Sequence, residues 1–354
     1  MKTASIQFTQ RWHSALADYI TALTWSGDGA WLAAASAVGE VLLHRLDQDS
    51  VSLQTANHQS INTLGFSADG QFLAAAGQAG DVTVWDVRSP SPSIVFTQSH
   101  HGIWIDQLAW HPQHPYLAYG VGSEAQIWDI ATSVQLAQPD FQASSILHLT
   151  WHPHGTSLAA SGHGGVRVWP SDDWSAEPQL VAVPGASLYA AWSSDGRYLG
   201  SGNLDRTLTV AEWGSPPPWL MQGFPGKVRQ IAWSDQANTS SSPLLAAACV
   251  EGITVWQRQK APQRGWQSTV LQQHQARVNA IAFQPGTQLL ASAGQDGQLC
   301  LWQQGKKLLK TLKGDAAEFS SLVWHPTGQY LAAGGAAGKL TLWQQSIQSK
   351  GFGR

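Results

Sequence analysis

The stretch Phe66-Ser-Ala-Asp-Gly-Gln-Phe-Leu-Ala-Ala-Ala-Gly77, continued by Asp81-Val-Thr-Val-Trp85, decides the fold. It runs from an aromatic residue through a short polar turn into an apolar run, a glycine-containing turn and a closing segment. That segment, Val82-Thr-Val-Trp85, alternates with the period of two that a half-buried strand requires. The glycines on either side mark tight turns. The same phrase returns as Phe283-Gln-Pro-Gly-Thr-Gln-Leu-Leu-Ala-Ser-Ala-Gly294 through Trp302, and as Trp324-His-Pro-Thr-Gly-Gln-Tyr-Leu-Ala-Ala-Gly-Gly335 through Trp343.

Working outward, the leading aromatics are Trp25, Phe66, Trp110, Trp151, Trp192, Trp233, Phe283 and Trp324, spaced by 41, 44, 41, 41, 41, 50 and 41 residues. The longest interval carries extra turn residues around Asn238-Thr-Ser-Ser-Ser-Pro243 and a long connection from Arg258 to Gln267. Val166-Arg-Val-Trp169, Leu299-Cys-Leu-Trp302 and Leu340-Thr-Leu-Trp343 are further closing strands. Val278-Asn-Ala-Ile-Ala-Phe283 exemplifies the apolar segment before each aromatic, and Ser268-Thr-Val-Leu271 and Leu308-Leu-Lys-Thr-Leu312 a fourth, weaker strand. Four short antiparallel strands at this period are a propeller blade. The expected fold is therefore all-β, a single propeller of eight blades over residues 1–345, with seven as the alternative, and a polar tail at 346–354. Thr3-Ala-Ser-Ile-Gln-Phe-Thr9 is expected to supply the outer strand of the last unit and so close the ring, which removes the exposed edge of a linear array.

Composition narrows the function. Only 12% of residues are charged and the net charge is −3, so there is no field for nucleic acid or an anionic membrane. Cys249 and Cys300 make no Cys-x-x-Cys pair or disulfide framework. Met1 to Trp12 lacks the apolar core of a signal peptide, and no run approaches the roughly 20 apolar residues of a membrane helix. A soluble, reduced, cytoplasmic monomer without a cofactor is the expectation.

The repeat resembles the WD40 family over nearly the whole chain. The Trp-Asp ending survives in Trp85-Asp86 and Trp128-Asp129 and drifts to Trp-Gln in the last three units. The family's Gly-His signal is reduced to His58 and His274. The resemblance implies a structural hydrogen-bonded tetrad, present only in the seventh unit as His274, Ser292, Asp296 and Trp302. Its loss elsewhere implies that apolar packing holds the other units. The fifth unit departs furthest, with Ala211 at the Trp position and Trp213 two residues later.

Catalytic signals are poor, and a non-enzymatic role is expected. No Gly-x-Ser-x-Gly elbow occurs. Gly334-Gly-Ala-Ala-Gly338-Lys339-Leu340-Thr341 fails as a phosphate loop, because Leu340 stands where Ser or Thr must ligate magnesium and the segment is a strand turn. Eight of the thirteen histidines cluster at His100, His101, His111, His114, His148, His152, His154 and His163. His111-Pro-Gln-His114 and His152-Pro-His154 fall on equivalent turns, where neutral imidazoles could hold zinc or copper; His325-Pro326 shows the same turn with no second histidine.

The segments before the inner strands place Lys227, Arg229 and Arg277 on one rim of the channel, with Tyr19, Trp104, Asp106 and Glu318 at equivalent places. In WD40 proteins this rim is the usual docking face, and Arg and aromatic residues are common interface anchors. Trp12, Trp31, Trp104, Trp174, Trp213, Trp219 and Trp266 stand outside the repeat positions, either as a sticky side surface or as covers for blade flanks. The leading reading is a protein-interaction scaffold that binds a protein or peptide partner. The alternative is a metal-handling propeller using His111, His114, His152 and His154.

Overall fold

Alternating segments separated by tight turns pair with their chain neighbours, because so short a connection permits only antiparallel pairing. A computed structural model shows this throughout; it describes residues 5–46, 50–89, 91–235, 242–259, 265–314 and 317–348. In the second unit Ile61–Phe66, Phe72–Gly77, Asp81–Asp86 and Ser93–Ser99 are hydrogen-bonded in that order. Among the described residues the regular structure is strand, apart from one 3₁₀ turn at Ala336–Gly338. The extra turn at 238–241, residues 260–264 of the long connection and the tail at 349–354 lie outside the described residues.

The second strand of each unit is buried on both faces, as in Leu32–Ser36, Phe72–Gly77, Leu245–Cys249 and Leu290–Gly294. Its alanines let neighbouring sheets approach closely. One core joins Ala33, Val41 and Leu43 of the first unit to Phe66, Leu73 and Trp85 of the second. Another joins Ile253 and Val255 of the sixth to Phe283, Leu290 and Trp302 of the seventh. Each large side chain so buried contributes roughly 1.5–3 kcal/mol. The result is a β-propeller arrangement.

Among the described residues the number of separate sheets is seven, not the eight expected. Six are four-stranded and one has six strands. The difference lies at Gln179–Trp192, a single 14-residue strand. Its first half pairs with Ser157–Pro170 as the last strand of the fourth unit, and its second half pairs with Tyr198–Asn203 as the first strand of the fifth. The alternative count of seven is thus reached by fusion of two units, not by loss of one. Ser157–Pro170 itself folds back at Gly164 and Gly165, both at positive φ, and Ser171 N donates to Thr156 O where the hairpin ends meet.

The amino-terminal strand is longer than expected. Ser5–Ala15 pairs with Lys339–Gln348, from Ser5 opposite Gln348 to Ala15 opposite Lys339, with a bulge between Gln10 and Trp12. The strand therefore claims residues 346–348, which the sequence assigned to a polar tail. Phe8 is buried with Leu331 and Trp343, its ring 5.9 Å from that of Trp324.

Polar links cross the interfaces at fixed places. The indole N–H of a leading tryptophan donates to an inner-strand carbonyl of the preceding unit: Trp110 to Gly65, Trp151 to Ala109, Trp233 to Ala191 and Trp324 to Ala282, at 2.8–3.1 Å. The next residue reaches the other way. His111 Nε2 lies 3.1 Å from Gly155 O, His152 Nε2 3.2 Å from Gly196 O and His325 Nε2 3.1 Å from Gly29 O. In each ring Nδ1 accepts a backbone N–H of its own turn, so Nε2 carries the proton and donates. Each imidazole also sits edge-on to the next unit's tryptophan, at 4.8 Å for Trp151, Trp192 and Trp25. Gln284 makes the same link to Gly328 O at 2.7 Å. Gly155 and Gly196 have positive φ, and a Cβ at either would meet the incoming Nε2 at 2.3 Å, so glycine is required twice over.

The implied tetrad is present. His274 Nδ1 lies 3.1 Å from both Asp296 oxygens, its Nε2 2.8 Å from Ser292 Oγ, and Trp302 Nε1 donates to that hydroxyl at 2.9 Å. Burial alone would raise the Asp296 pKa, but the Gln275 and Gln298 amides and His274 outweigh it and hold the carboxyl below its usual range. The fifth unit, where apolar packing was expected to act alone, has a buried network of its own. Ser201 donates to Asn203 at 2.6 Å, and the Asn203 amide donates to Thr207 and Thr209 at 2.9 and 3.0 Å.

Two expectations follow. Phe8→Ala should cost about 3 kcal/mol in equilibrium unfolding; wild-type stability would mean that the terminal strand does not secure the last unit. Burial holds His111, His152 and His325 below the ordinary imidazole pKa and takes His44 and His148 down to about 4. As pH falls below the unfolded value of about 6.5, the unfolded chain gains protons that the folded state refuses, so stability falls from there toward pH 4. Urea midpoints should drop across that window, and His325→Gln, which copies Gln284, should flatten part of the drop. A constant midpoint from pH 7 to 5 would contradict this.

Candidate interaction surface

Tyr19, Trp104, Lys227, Arg277 and Glu318 each stand immediately before a buried residue: Ile20, Val278 and Phe319 open an inner strand, and Ile105 and Val228 lie just ahead of the inner strands Leu108–Trp110 and Gln230–Trp233. Equivalent anchors put the five side chains at one level on one face. Asp106 and Arg229 follow their anchors, in register with Asn62, Asn279 and Ser320.

The structure joins some of these residues and leaves others apart. Tyr19 lies within electrostatic reach of Glu318 and Arg277, so the seventh, eighth and first units meet there. Burial raises the Tyr19 pKa, Glu318 adds to the rise, and Ser320 and Arg277 oppose it. The Asn279 amide donates to Glu318 Oε1 at 3.3 Å and to Phe319 O at 2.8 Å, and Ser320 Oγ donates to Ile20 O at 2.5 Å. On the second and third units Asn62 Nδ2 donates to Asp106 Oδ1 at 2.5 Å. Lys227, Arg229 and Arg277 are exposed, and no ion pair among the described residues includes them. Asn62, Asn279 and Ser320 escaped the sequence reading, although their place directly after an anchor was the available signal.

Trp104 is 60% exposed, the only one of the nineteen tryptophans in that state. The other non-repeat tryptophans cover flanks. Trp174 packs on Trp151 and Trp213 on Trp192; Trp219 and Trp266 pack together, and Arg258 lies 4.1 Å over Trp219. Trp12 sits against His44, and Arg45 lies over Trp31.

The histidine turns lie on the other face. His111 and His152 have both ring nitrogens engaged within the fold. His114 and His154 are exposed beside a cavity of about 520 Å³ that Tyr116, Trp151 and Trp174 also line. Among the described residues no three His, Cys, Asp or Glu side chains converge as a metal site. Two of the eight clustered histidines, His111 and His152, are engaged in the links to Gly155 and Gly196.

Comparison with known proteins agrees with this architecture. The family profile described as WD domain, G-beta repeat matches residues 137–170, 265–303 and 306–344, and that of the anaphase-promoting complex subunit 4 WD40 domain matches 23–111. The chain is 30% identical over 135 residues to WD repeat-containing protein slp1 of Schizosaccharomyces pombe, covering 35% of this chain and 27% of that protein. It is 28% identical over 137 residues to THO complex subunit 3 of Arabidopsis thaliana, covering 37% and 43%. It is 29% identical over 189 residues to Protein HIR1 of Gibberella zeae, covering 45% and 17%. The matches thus span less than half the length of these relatives. With recurrent aromatic-anchored sheets, the seventh-unit tetrad and these matches together, the chain belongs to the WD40-repeat family.

Proposed function

We propose that this chain is a non-catalytic interaction scaffold, a closed ring of sheets that holds a protein or peptide partner on the rim where its inner strands begin. One observation carries the reading. Eighteen tryptophans are packed into the fold wholly or in part, while Trp104 stands exposed on that rim. Tryptophan is among the residues that most often dominate binding energy at interfaces. The cations of the sixth and seventh units, in no ion pair among the described residues, lie on the same face.

Closure of the ring is supported by the pairing of Ser5–Ala15 with Lys339–Gln348 and by the Ser320 bond to Ile20, which joins the last unit to the first. A rigid ring limits the ordering cost of binding. The matched names that specify a complex, THO complex subunit 3 and anaphase-promoting complex subunit 4, agree with an assembly role in general terms and identify no partner for this chain.

The test is affinity purification with mass spectrometry, comparing wild type with Trp104→Ala and with Arg229→Glu/Arg277→Glu. Specific partners should be lost from both variants while thermal midpoints stay within a degree or so, since exposed substitutions are usually near neutral. Unchanged recovery in both variants would overturn the choice of this face.

A further inference from the structure

The rim is not uniform. Of the thirteen large hydrophobic side chains exposed among the described residues, eight lie on the outermost strands of their units and the other five on the rim face. These five are Ile103, Trp104, Leu147, Leu204 and Val250, and they come from the third to sixth units in succession. Monomeric proteins rarely gather apolar side chains on one face without a use for them.

Backbone bonds place the apolar residues among the cations. Val228 N donates to Asn203 O at 3.1 Å, so the turn bearing Leu204 is pinned beside Lys227 and Arg229. Val278 N donates to Val250 O at 2.8 Å, which holds Val250 beside Arg277. Leu204 N donates to Ala186 O at 2.9 Å and fixes that turn from the other side. Apolar and cationic groups therefore alternate on a backbone that is already ordered. Beside Leu204 and Val250 lie two carboxylates, Asp205, which accepts the Thr207 hydroxyl at 2.7 Å, and Glu251, while Asp106 near Trp104 is held by Asn62. Against Asp205 and Glu251 stand Arg206, Lys227, Arg229 and Arg277, which leaves the rim around Leu204 and Val250 positive.

The geometry points to an acidic peptide segment as the occupant of this sector, with aliphatic or aromatic side chains interspersed among its carboxylates. The inference rests on the scaffold reading and adds the chemistry of the partner. Its carboxylates would pair with Lys227, Arg229 and Arg277, and Arg can take a carboxylate through two parallel bonds. Its apolar side chains would lie on Leu204, Val250, Leu147 and Trp104. A nucleic-acid backbone offers the charge without the apolar side chains, and four cations are a short track for it.

The experiment pans a random short-peptide phage library on the full chain. Enriched peptides are then measured by fluorescence anisotropy against wild type, Arg229→Gln/Arg277→Gln and Trp104→Ala, each checked for an unchanged thermal midpoint. Enriched peptides should carry clustered Asp or Glu close to Leu, Phe or Trp. The arginine pair variant should weaken them about tenfold and remove most of their salt dependence. Neutral or basic peptides that are lost with Trp104→Ala would overturn the acidic partner and leave the scaffold reading intact. No enrichment, or binding untouched by either variant, would count against both. Displacement of the peptides by a single-stranded oligonucleotide at equal concentration would also overturn the inference.

Discussion

Each sheet in this molecule has two apolar faces and can cover neither by itself. That constraint governs the rest. The buried second strands, such as Leu32–Ser36 and Leu290–Gly294, are alanine-rich because a sheet lies against them on both sides. The leading aromatic sits at the interface because its ring fills the space between neighbours, and where it is Trp110, Trp151, Trp233 or Trp324 its N–H also bonds the preceding unit. A row of such sheets would leave an apolar face bare at each end. Ser5–Ala15 pairs with the last strand, and Ile20 packs with Ala332 and Leu340, which supports the proposed closure.

Much of this was legible because the decisive signals are local. The aromatic, the glycine turn and the period-two closing strand fall within a few residues of each other, and their return at 41-residue spacing needs no tertiary information. The fusion of the fourth and fifth units was not legible. Pro184-Gly185 reads as a turn, yet the strand from Gln179 to Trp192 continues through it and changes pairing partner between Ala186 and Ser187. The fifth unit's network was hidden for a different reason. Ser201, Asn203, Thr207 and Thr209 are ordinary turn and strand residues until the fold buries them together.

The histidines show how a chemical signal can be real and still be structural. Their excess in the third and fourth units is visible in the sequence, but the acceptors, Gly155 and Gly196, lie 44 residues downstream. Only the packing of adjacent units reveals that the His111 and His152 imidazoles span an interface, with one nitrogen serving its own turn and the other its neighbour. The rim was legible as a position, since every candidate there precedes or follows an inner-strand anchor. Which rim residues are engaged was not: Tyr19, Glu318 and Asp106 are held by contacts from neighbouring units, whereas Trp104, Lys227, Arg229 and Arg277 stand exposed.

If mutual cover between sheets is what stabilises the fold, the units should open together. Native-state hydrogen exchange tests this directly, by comparing amides of the buried second strands Leu32–Ser36, Phe72–Gly77, Leu245–Cys249 and Tyr330–Gly335 across the ring. Mutual cover predicts one shared opening free energy, equal to that of global unfolding. A graded series falling from one end of the chain to the other would contradict it, because that is the behaviour of an open array whose units depend only on their nearest neighbours.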